Sequence, residues 1–126
     1  MSNISQLNLQ YSSNKIKFPN ESFLIAGISN YQNNLDIPSM KLGSDLQLKL
    51  EPDNIYDSNA IQILFNKKLI GYVPKKNNIV KKMCMENINN NLKIINIKRE
   101  SDSKNYGIRV ILDKFYTDEL LLIGIF

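Results

Sequence analysis

One eleven-residue stretch, residues 51–61 (EPDNIYDSNAI), concentrates side chains that can do chemistry. It carries three carboxylates (Glu51, Asp53 and Asp57), two asparagine amides and one tyrosine, Tyr56. Asn and Asp side chains bond to neighbouring backbone groups in turns, so one interpretation is a capped connection between two strands. An aromatic ring beside a carboxylate favours a second interpretation, because Tyr56 can stack on a base while Asp57 accepts a hydrogen bond from a sugar hydroxyl.

The composition argues against most catalytic sites. The 126-residue chain has no histidine, which excludes imidazole catalysis, catalytic triads and His-ligated metals. Its one cysteine, Cys84, excludes disulfide scaffolds and thiolate clusters. Because Cys84 lies between Met83 and Met85, we expect it to be a buried, reduced thiol. We therefore expect no enzymatic activity, no catalytic residue, no bound metal and no cofactor.

The positive charge is concentrated in one part of the chain. Residues 58–99 contain nine basic residues and one acidic residue, a net charge of +8 in a chain whose total is +4. A one-sided charge of this kind is typical of a polyanion binder. A solvated surface rich in lysine is the structural alternative.

The length fits a single domain. Residues 1–20 are polar and irregular and predict an N-terminal arm, followed by one domain over residues 21–126. No apolar run reaches membrane-spanning length, and the segment Met1–Ser5 does not resemble a signal peptide. We expect a cytoplasmic protein that does not bind membranes.

Short apolar runs bounded by turn residues predict a mainly β fold. The predicted strands cover residues 23–28, 46–50, 60–65, 69–73, 92–97, 106–112 and 120–126, with a long loop at 30–44. Apolar residues at helical spacing after Pro74 predict one amphipathic helix over residues 75–85. Since closing the sheet removes exposed edges, we predict a small OB-like β-barrel of about six strands with one or two short helices.

Three motifs resemble the successive motifs of the HIRAN domain in order and spacing. They are residues 27–32 (GISNYQ), residues 51–61 (EPDNIYDSNAI) and residues 70–75 (IGYVPK). The resemblance covers roughly residues 23–83. This small module occurs at the front of some fork-remodelling DNA translocases and in stand-alone or fused bacterial proteins. The chain is similar to the stand-alone form.

The resemblance implies an OB-like barrel with a pocket that captures the 3′ end of single-stranded DNA. Carried over by position, Tyr56 would stack on the terminal base and Asp57 would meet the 3′ hydroxyl. Asn54 and Lys75 would line the same pocket and reach sugar or phosphate groups. The complete set of predicted DNA-binding residues is Asn30, Tyr31, Asn54, Tyr56, Asp57, Tyr72, Lys75 and Lys76.

The chain departs from the family pattern at two positions. The relatives place a basic and an aromatic residue where this chain has Ser29 and Asn30. Ser29 carries no charge, and Asn30 offers only a small amide plane. One half of the base sandwich is therefore missing or must come from Tyr31 or Tyr72, and weaker or broader single-strand binding is the alternative to tight capture of the 3′ end.

Three functions from different classes follow from these features. The first is a non-catalytic module for single-stranded DNA and its 3′ end, acting in DNA processing or repair with a helicase or nuclease supplied by another chain. In it, lysines contact phosphates and tyrosines contact bases. The second is a protein-interaction or assembly module that keeps the HIRAN fold without the DNA-end pocket, using the apolar run at 120–126 as an edge strand. The third is an enzyme on DNA ends, with Mg²⁺ held by Glu51, Asp53 and Asp57. It is disfavoured, because metal-dependent nucleases gather carboxylates from several elements, whereas a single acidic turn is more often a capped loop.

Overall fold

A computed structural model describes residues 17–99 and 106–120. These residues form six strands: β1 (Phe23–Leu24), β2 (Asp45–Glu51), β3 (Ala60–Phe65), β4 (Lys68–Tyr72), β5 (Leu92–Arg99) and β6 (Tyr106–Leu112). One α-helix, α1 (Asn78–Glu86), joins β4 to β5. Short 3₁₀ segments cover Ile28–Asn34, Ile37–Ser39 and Asp113–Phe115. The strand order is β1-β6-β5-β2-β3-β4, and every neighbouring pair is antiparallel.

The sheet curls until the chain just beyond β1 meets the end of β4. The Ala26 N–H donates to the Tyr72 carbonyl oxygen and the Tyr72 N–H donates to the Ala26 carbonyl oxygen, both at 2.8 Å. We call this pair of bonds the seam. Register shifts at Ile63/Leu64 and between Ile94 and Asn96 bend the strands. The result is a half-barrel, which confirms the predicted mainly β, OB-like architecture.

The core lies inside this curl. Alternate residues of the long strands point inward, as the period of two requires. The buried strand residues include Leu46, Leu48, Ile61, Ile63, Leu92, Ile94, Ile108 and Val110. From α1, Val80 and Cys84 pack onto the same cluster. Cys84 is a free cysteine with no exposed surface, which confirms the predicted buried thiol, and this burial raises the pKa of the thiol to about 12.

Two predicted boundaries were wrong, and each has a local cause. The predicted strand 23–28 ends at Leu24, because Gly27 adopts a positive φ of 75° and Ile28 begins a 3₁₀ segment. The helix begins at Asn78 and not at Lys75. The side-chain oxygen of Asn77 accepts a hydrogen bond from the Val80 N–H at 3.1 Å and thereby caps the helix.

The remaining strands agree with the predictions to within about two residues, and β3 and β6 agree in full. The hairpin between β3 and β4 turns on Asn66 and Lys67, both with positive φ, the geometry that matches the twist of paired strands. The predicted loop 30–44 contains two of the 3₁₀ segments. Of the predicted strand at 120–126, residues 121–126 lie outside the described residues, as do residues 1–16 of the predicted arm. Within the described ranges, no helix is both long and apolar enough to span a bilayer.

The seam requires a residue without a side chain at position 71. A Cβ on Gly71 would lie 2.4 Å from Ile25 Cγ2 and 2.7 Å from the Ala26 carbonyl oxygen. We predict that Gly71→Ala lowers the free energy of unfolding by about 1–3 kcal/mol, the usual cost of overpacking, because the backbone at the seam must move. Urea denaturation measures this loss.

Gly107→Ala is the matched control. Gly107 also lies in a strand, but a Cβ there would meet its nearest atoms at 3.8 Å, an ordinary contact. The free energy of unfolding should change by less than about 0.5 kcal/mol. Equal losses in the two variants would contradict the proposed crowding at the seam.

Candidate DNA-binding site

The connection between β2 and β3 is held in one shape by Asn54. Its side-chain oxygen accepts hydrogen bonds from the backbone N–H groups of Tyr56 at 2.9 Å and Asp57 at 3.0 Å. Its amide nitrogen donates to Glu51 Oε1 at 2.6 Å. Asparagine is suited to this task because its short side chain can satisfy backbone donors two and three residues ahead. Asn54 therefore positions the loop that carries Tyr56 and Asp57.

Glu51, at the end of β2, ties three separate elements together. Oε1 accepts from Asn54 and from the Tyr72 hydroxyl at 2.8 Å, while Oε2 accepts from Gln62 Nε2 at 2.7 Å. Hydrogen bonds from Asn54 and Tyr72 hold the pKa of the Glu51 carboxyl below its ordinary value. From the sequence, Glu51 was predicted only as an alternative metal ligand, and its position at the start of the 51–61 motif was the one signal of a role in the site.

The three tyrosines of the predicted site, Tyr31, Tyr56 and Tyr72, differ in solvent exposure. Tyr56 lies at the tip of the loop with 81% of its surface exposed, which excludes a role as a core residue. Tyr31 and Tyr72 are half-buried, with ring centroids 6.2 Å apart and ring planes tilted by 50°. Burial and the hydrogen bond to Glu51 raise the pKa of the Tyr72 hydroxyl, so it stays protonated and remains a donor.

Tyr31 is placed by the 3₁₀ segment that follows Gly27. The Asn30 N–H donates to the Gly27 carbonyl oxygen at 3.0 Å and closes the turn after the seam. Four residues further on, Asn34 Nδ2 donates to the Leu69 carbonyl oxygen at 2.7 Å and fixes the segment against β4. The ring of Tyr31 is thereby held beside β4, where Tyr72 lies.

Asp57 is engaged on both carboxylate oxygens. Oδ1 accepts from the Asn59 N–H at 2.9 Å, and Oδ2 forms a salt bridge with Lys81 of α1. The hydrogen bond from Lys81 and the backbone bond from Asn59 lower the pKa of the Asp57 carboxyl. Lys75 Nζ donates to the Tyr56 carbonyl oxygen at 3.2 Å. The loop is therefore attached through Lys75 to the turn before α1 and through Lys81 to α1 itself.

These side chains surround one open cavity of about 560 Å³, which we call the tyrosine cavity. Among its lining residues are Asn30, Tyr31, Asn54, Tyr56, Asp57, Tyr72 and Lys75, all of them predicted from the sequence. Lys76 lies exposed in the turn before α1 and is not part of the lining. The lining residues that sequence analysis did not predict are Ala26, Glu51, Asp53, Ile55, Ala60 and Val73.

The carboxylates of the loop are not arranged as a metal site. Across residues 17–99 and 106–120, no group of three acidic or cysteine side chains is gathered closely enough to hold a metal ion. Glu51 is bonded to side-chain donors and Asp57 to Lys81. The geometry therefore gives no support to the arrangement in which Glu51, Asp53 and Asp57 hold Mg²⁺.

The structure is a half-barrel with an open cavity lined by three tyrosines and by Lys75, side chains of the types that contact nucleobases and phosphates in small β-barrel modules. The chain belongs to the HIRAN domain family, whose model matches residues 20–116. HIRAN domains are in general DNA-binding modules and not themselves catalytic. No curated protein and no solved structure matches the chain.

The bonds of Glu51 make the stability of the protein depend on pH. Because the pKa of this carboxyl is lowered in the folded state, its contribution is complete at neutral pH and is lost as the pH falls through the folded-state value. We predict that Glu51→Gln lowers Tm most at neutral pH. The difference in Tm between this variant and the unmodified protein should become smaller below about pH 4. Thermal melts over pH 3–7 measure this gap.

Tyr72→Phe is the informative companion variant. It keeps the ring and removes one of the donors to Glu51, so the pKa of the folded-state carboxyl moves back toward its ordinary value. The stability that this variant loses between pH 7 and pH 3 should therefore be smaller than the loss in the unmodified protein. A constant gap between Glu51→Gln and the unmodified protein at every pH would contradict the role given to this carboxylate.

Proposed function

We propose that this protein binds single-stranded DNA in the tyrosine cavity and receives the 3′ end of the strand there. The observation that carries the proposal is the position of Tyr56, a largely exposed ring on a loop that is fixed by Asn54 and Glu51. An exposed aromatic side chain on a fixed loop is available for base stacking at little cost in ordering. Membership of a DNA-binding family supports the same conclusion.

The terminal base is expected to lie between Tyr56 and the wall formed by Tyr31 and Tyr72. The tilted pair offers ring surface within the same lining as Tyr56. This pair supplies the second aromatic surface that Asn30 cannot supply. Stacking on rings tolerates any base, so we expect weak sequence preference.

The terminal 3′ hydroxyl is expected to donate to Asp57. A carboxylate has about four lone-pair positions, and the bonds from Asn59 and Lys81 use one on each oxygen. A hydroxyl can therefore still donate to this group, whereas a phosphate in the same place would bring a second negative charge close to it. Asp57 thus favours an unmodified 3′ terminus.

The module acts in DNA processing or repair without chemistry of its own. In this proposal, a helicase or nuclease carried by another chain performs the reaction, and the tyrosine cavity supplies recognition of the strand end.

The ring of Tyr56 gives the first test. Stacking on an aromatic side chain contributes about 1–3 kcal/mol per base, so Tyr56→Ala should weaken binding of a single strand about ten- to hundredfold. Tyr56→Phe should bind nearly as well as the unmodified protein, because the ring provides the stacking. Fluorescence anisotropy with a labelled oligonucleotide measures both affinities.

Ile55→Ala is the matched control on the same loop. Ile55 is 86% exposed and lines the same cavity, but it has no ring to stack. Neither alanine variant should change Tm by more than a few degrees, since both side chains are exposed. If Tyr56→Ala remains folded and binds as tightly as the unmodified protein, Tyr56 is not in the site.

The chemistry of the strand end gives the second test. We predict that a strand ending in a 3′ hydroxyl binds more tightly than the same strand ending in a 3′ phosphate or closed into a circle. A 5′ phosphate in place of a 5′ hydroxyl should have no comparable effect. Competition titrations with the four oligonucleotides measure the order of affinity.

Two variants distinguish the effect of the Asp57 carboxylate from the effect of its salt bridge with Lys81. Asp57→Asn removes the negative charge and should reduce the preference for a 3′ hydroxyl. Lys81→Met breaks the salt bridge but leaves the carboxylate in place, and it should retain the preference. Tighter or equal binding of the 3′-phosphate strand to the unmodified protein would show that Asp57 does not recognise the end.

A further inference from the structure

The fold divides the basic segment 58–99 into separate groups. Lys67 and Lys68 lie at the hairpin between β3 and β4, while Lys93, Lys98 and Arg99 belong to β5. The remaining four lysines, Lys75, Lys76, Lys81 and Lys82, lie in α1 or in the turn before it. The basic residues of this segment therefore do not belong to one element of the fold, and each group can have a different role.

The α1 group borders a second open hollow of about 450 Å³, which we call the α1 hollow. Lys75, Lys81 and Lys82 line it together with the amide side chains of Asn59 and Asn78. Two residues, Asp57 and Lys75, line both the α1 hollow and the tyrosine cavity. The two spaces are thus neighbours that share a wall.

Lys75 stands at the boundary between the two spaces. Its Nζ donates to the Tyr56 carbonyl oxygen at 3.2 Å, which holds the ammonium group beside the loop that presents the stacking ring. An ammonium in this position can reach a phosphate attached to a nucleotide whose base lies in the tyrosine cavity. The boundary is therefore where the backbone of a bound strand would leave the cavity.

The charges in the α1 hollow are only partly compensated. Lys81 is paired with Asp57, and both side chains are largely buried, with 14% and 16% of their surface exposed. Glu86 is the second carboxylate in the lining. Lys82 and Lys75 are exposed, and a flexible, exposed ammonium is well suited to a phosphate as a point charge.

We propose that the α1 hollow is a second contact site for the same DNA strand, in which Lys75 and Lys82 bind backbone phosphates of nucleotides adjoining the one in the tyrosine cavity. This inference rests on the proposed function and adds the path that the bound DNA takes from the tyrosine cavity to the α1 hollow. Asn59 and Asn78 provide neutral donors for the same backbone. The Asp57–Lys81 pair forms the shared wall, at which the strand passes from base recognition to phosphate contact.

The two hairpin lysines line other hollows, and Lys68 lies in one whose described lining shares no residue with the tyrosine cavity. The hollow beside the hairpin is lined by Gln47, Lys49, Leu64, Asn66 and Lys67, and it shares no lining residue with the tyrosine cavity. A strand whose end lies in the tyrosine cavity therefore has a shared wall toward α1, whereas the described residues give the tyrosine cavity and this hairpin hollow no lining residue in common. The inference assigns different roles to lysines that the sequence does not distinguish.

The experiment compares two strand lengths and two lysine variants. A two-nucleotide and a ten-nucleotide oligothymidylate, both with a free 3′ hydroxyl, are titrated between about 50 and 200 mM salt with the unmodified protein, Lys82→Ala, Lys68→Ala and Tyr56→Ala. Of the two spaces, Lys82 lines only the α1 hollow, so the loss of its side chain leaves the lining of the tyrosine cavity intact. Lys68 is an exposed lysine of the hairpin and is the matched control for the loss of one charge.

Lys82→Ala should weaken binding of the ten-nucleotide strand about three- to tenfold at the lowest salt and make the log–log salt slope less negative by about 0.7. Its affinity for the two-nucleotide strand should stay at the unmodified value. Lys68→Ala should match the unmodified protein with both strands.

The remaining outcomes overturn the inference in distinguishable ways. If Tyr56→Ala weakens binding while Lys82→Ala does not, the α1 hollow is no DNA site and the proposed function stands. If Lys68→Ala flattens the slope as much as Lys82→Ala, the lysines act only as diffuse charge. If neither strand binds the unmodified protein, the proposed function fails and this inference fails with it.

Discussion

Two backbone hydrogen bonds between Ala26 and Tyr72 are the constraint on which the candidate site depends. They join chain segments at opposite ends of the strand order, so the sheet becomes a half-barrel instead of an open ribbon. The segment that leaves this seam is the 3₁₀ turn bearing Asn30 and Tyr31, which is thereby held against β4. Without the seam, no wall would face the loop between β2 and β3.

On the other side of the cavity, polar bonds replace a hydrophobic core. The two apolar side chains at the tip of the loop, Ile55 and Tyr56, are largely exposed. Its shape comes instead from Asn54, Glu51 and Asp57, each of which accepts two or more hydrogen bonds from fixed donors. A loop built in this way can expose an aromatic ring without collapsing onto the barrel. This combination of an exposed ring and a fixed backbone is what a binding surface requires.

The sequence predicted the parts of the fold that follow from local patterns. Strands β3 and β6 were visible as apolar runs, and the helix was visible from the spacing of Val80, Met83 and Cys84. The helix start was missed because its cap, Asn77, stands in a polar run that is not distinctive in sequence. In the site, the motif at 51–61 led to Tyr56 and Asp57. The partners of Glu51 and the pairing of Asp57 with Lys81 depend on residues up to 24 positions apart, and only the folded chain brings them together.

The three roles of Tyr72 limit which substitutions this domain can accept. One residue closes the barrel with its backbone, anchors Glu51 with its hydroxyl and lines the cavity with its ring. A replacement there alters the wall and the support of the opposite loop at once. Asn30 and Tyr56 are exposed residues of the cavity lining, and their side chains make no comparable contribution to the closure of the barrel. A substitution at one of these exposed positions can therefore change what the cavity accepts without disturbing the closure of the barrel, whereas a substitution of Tyr72 changes both.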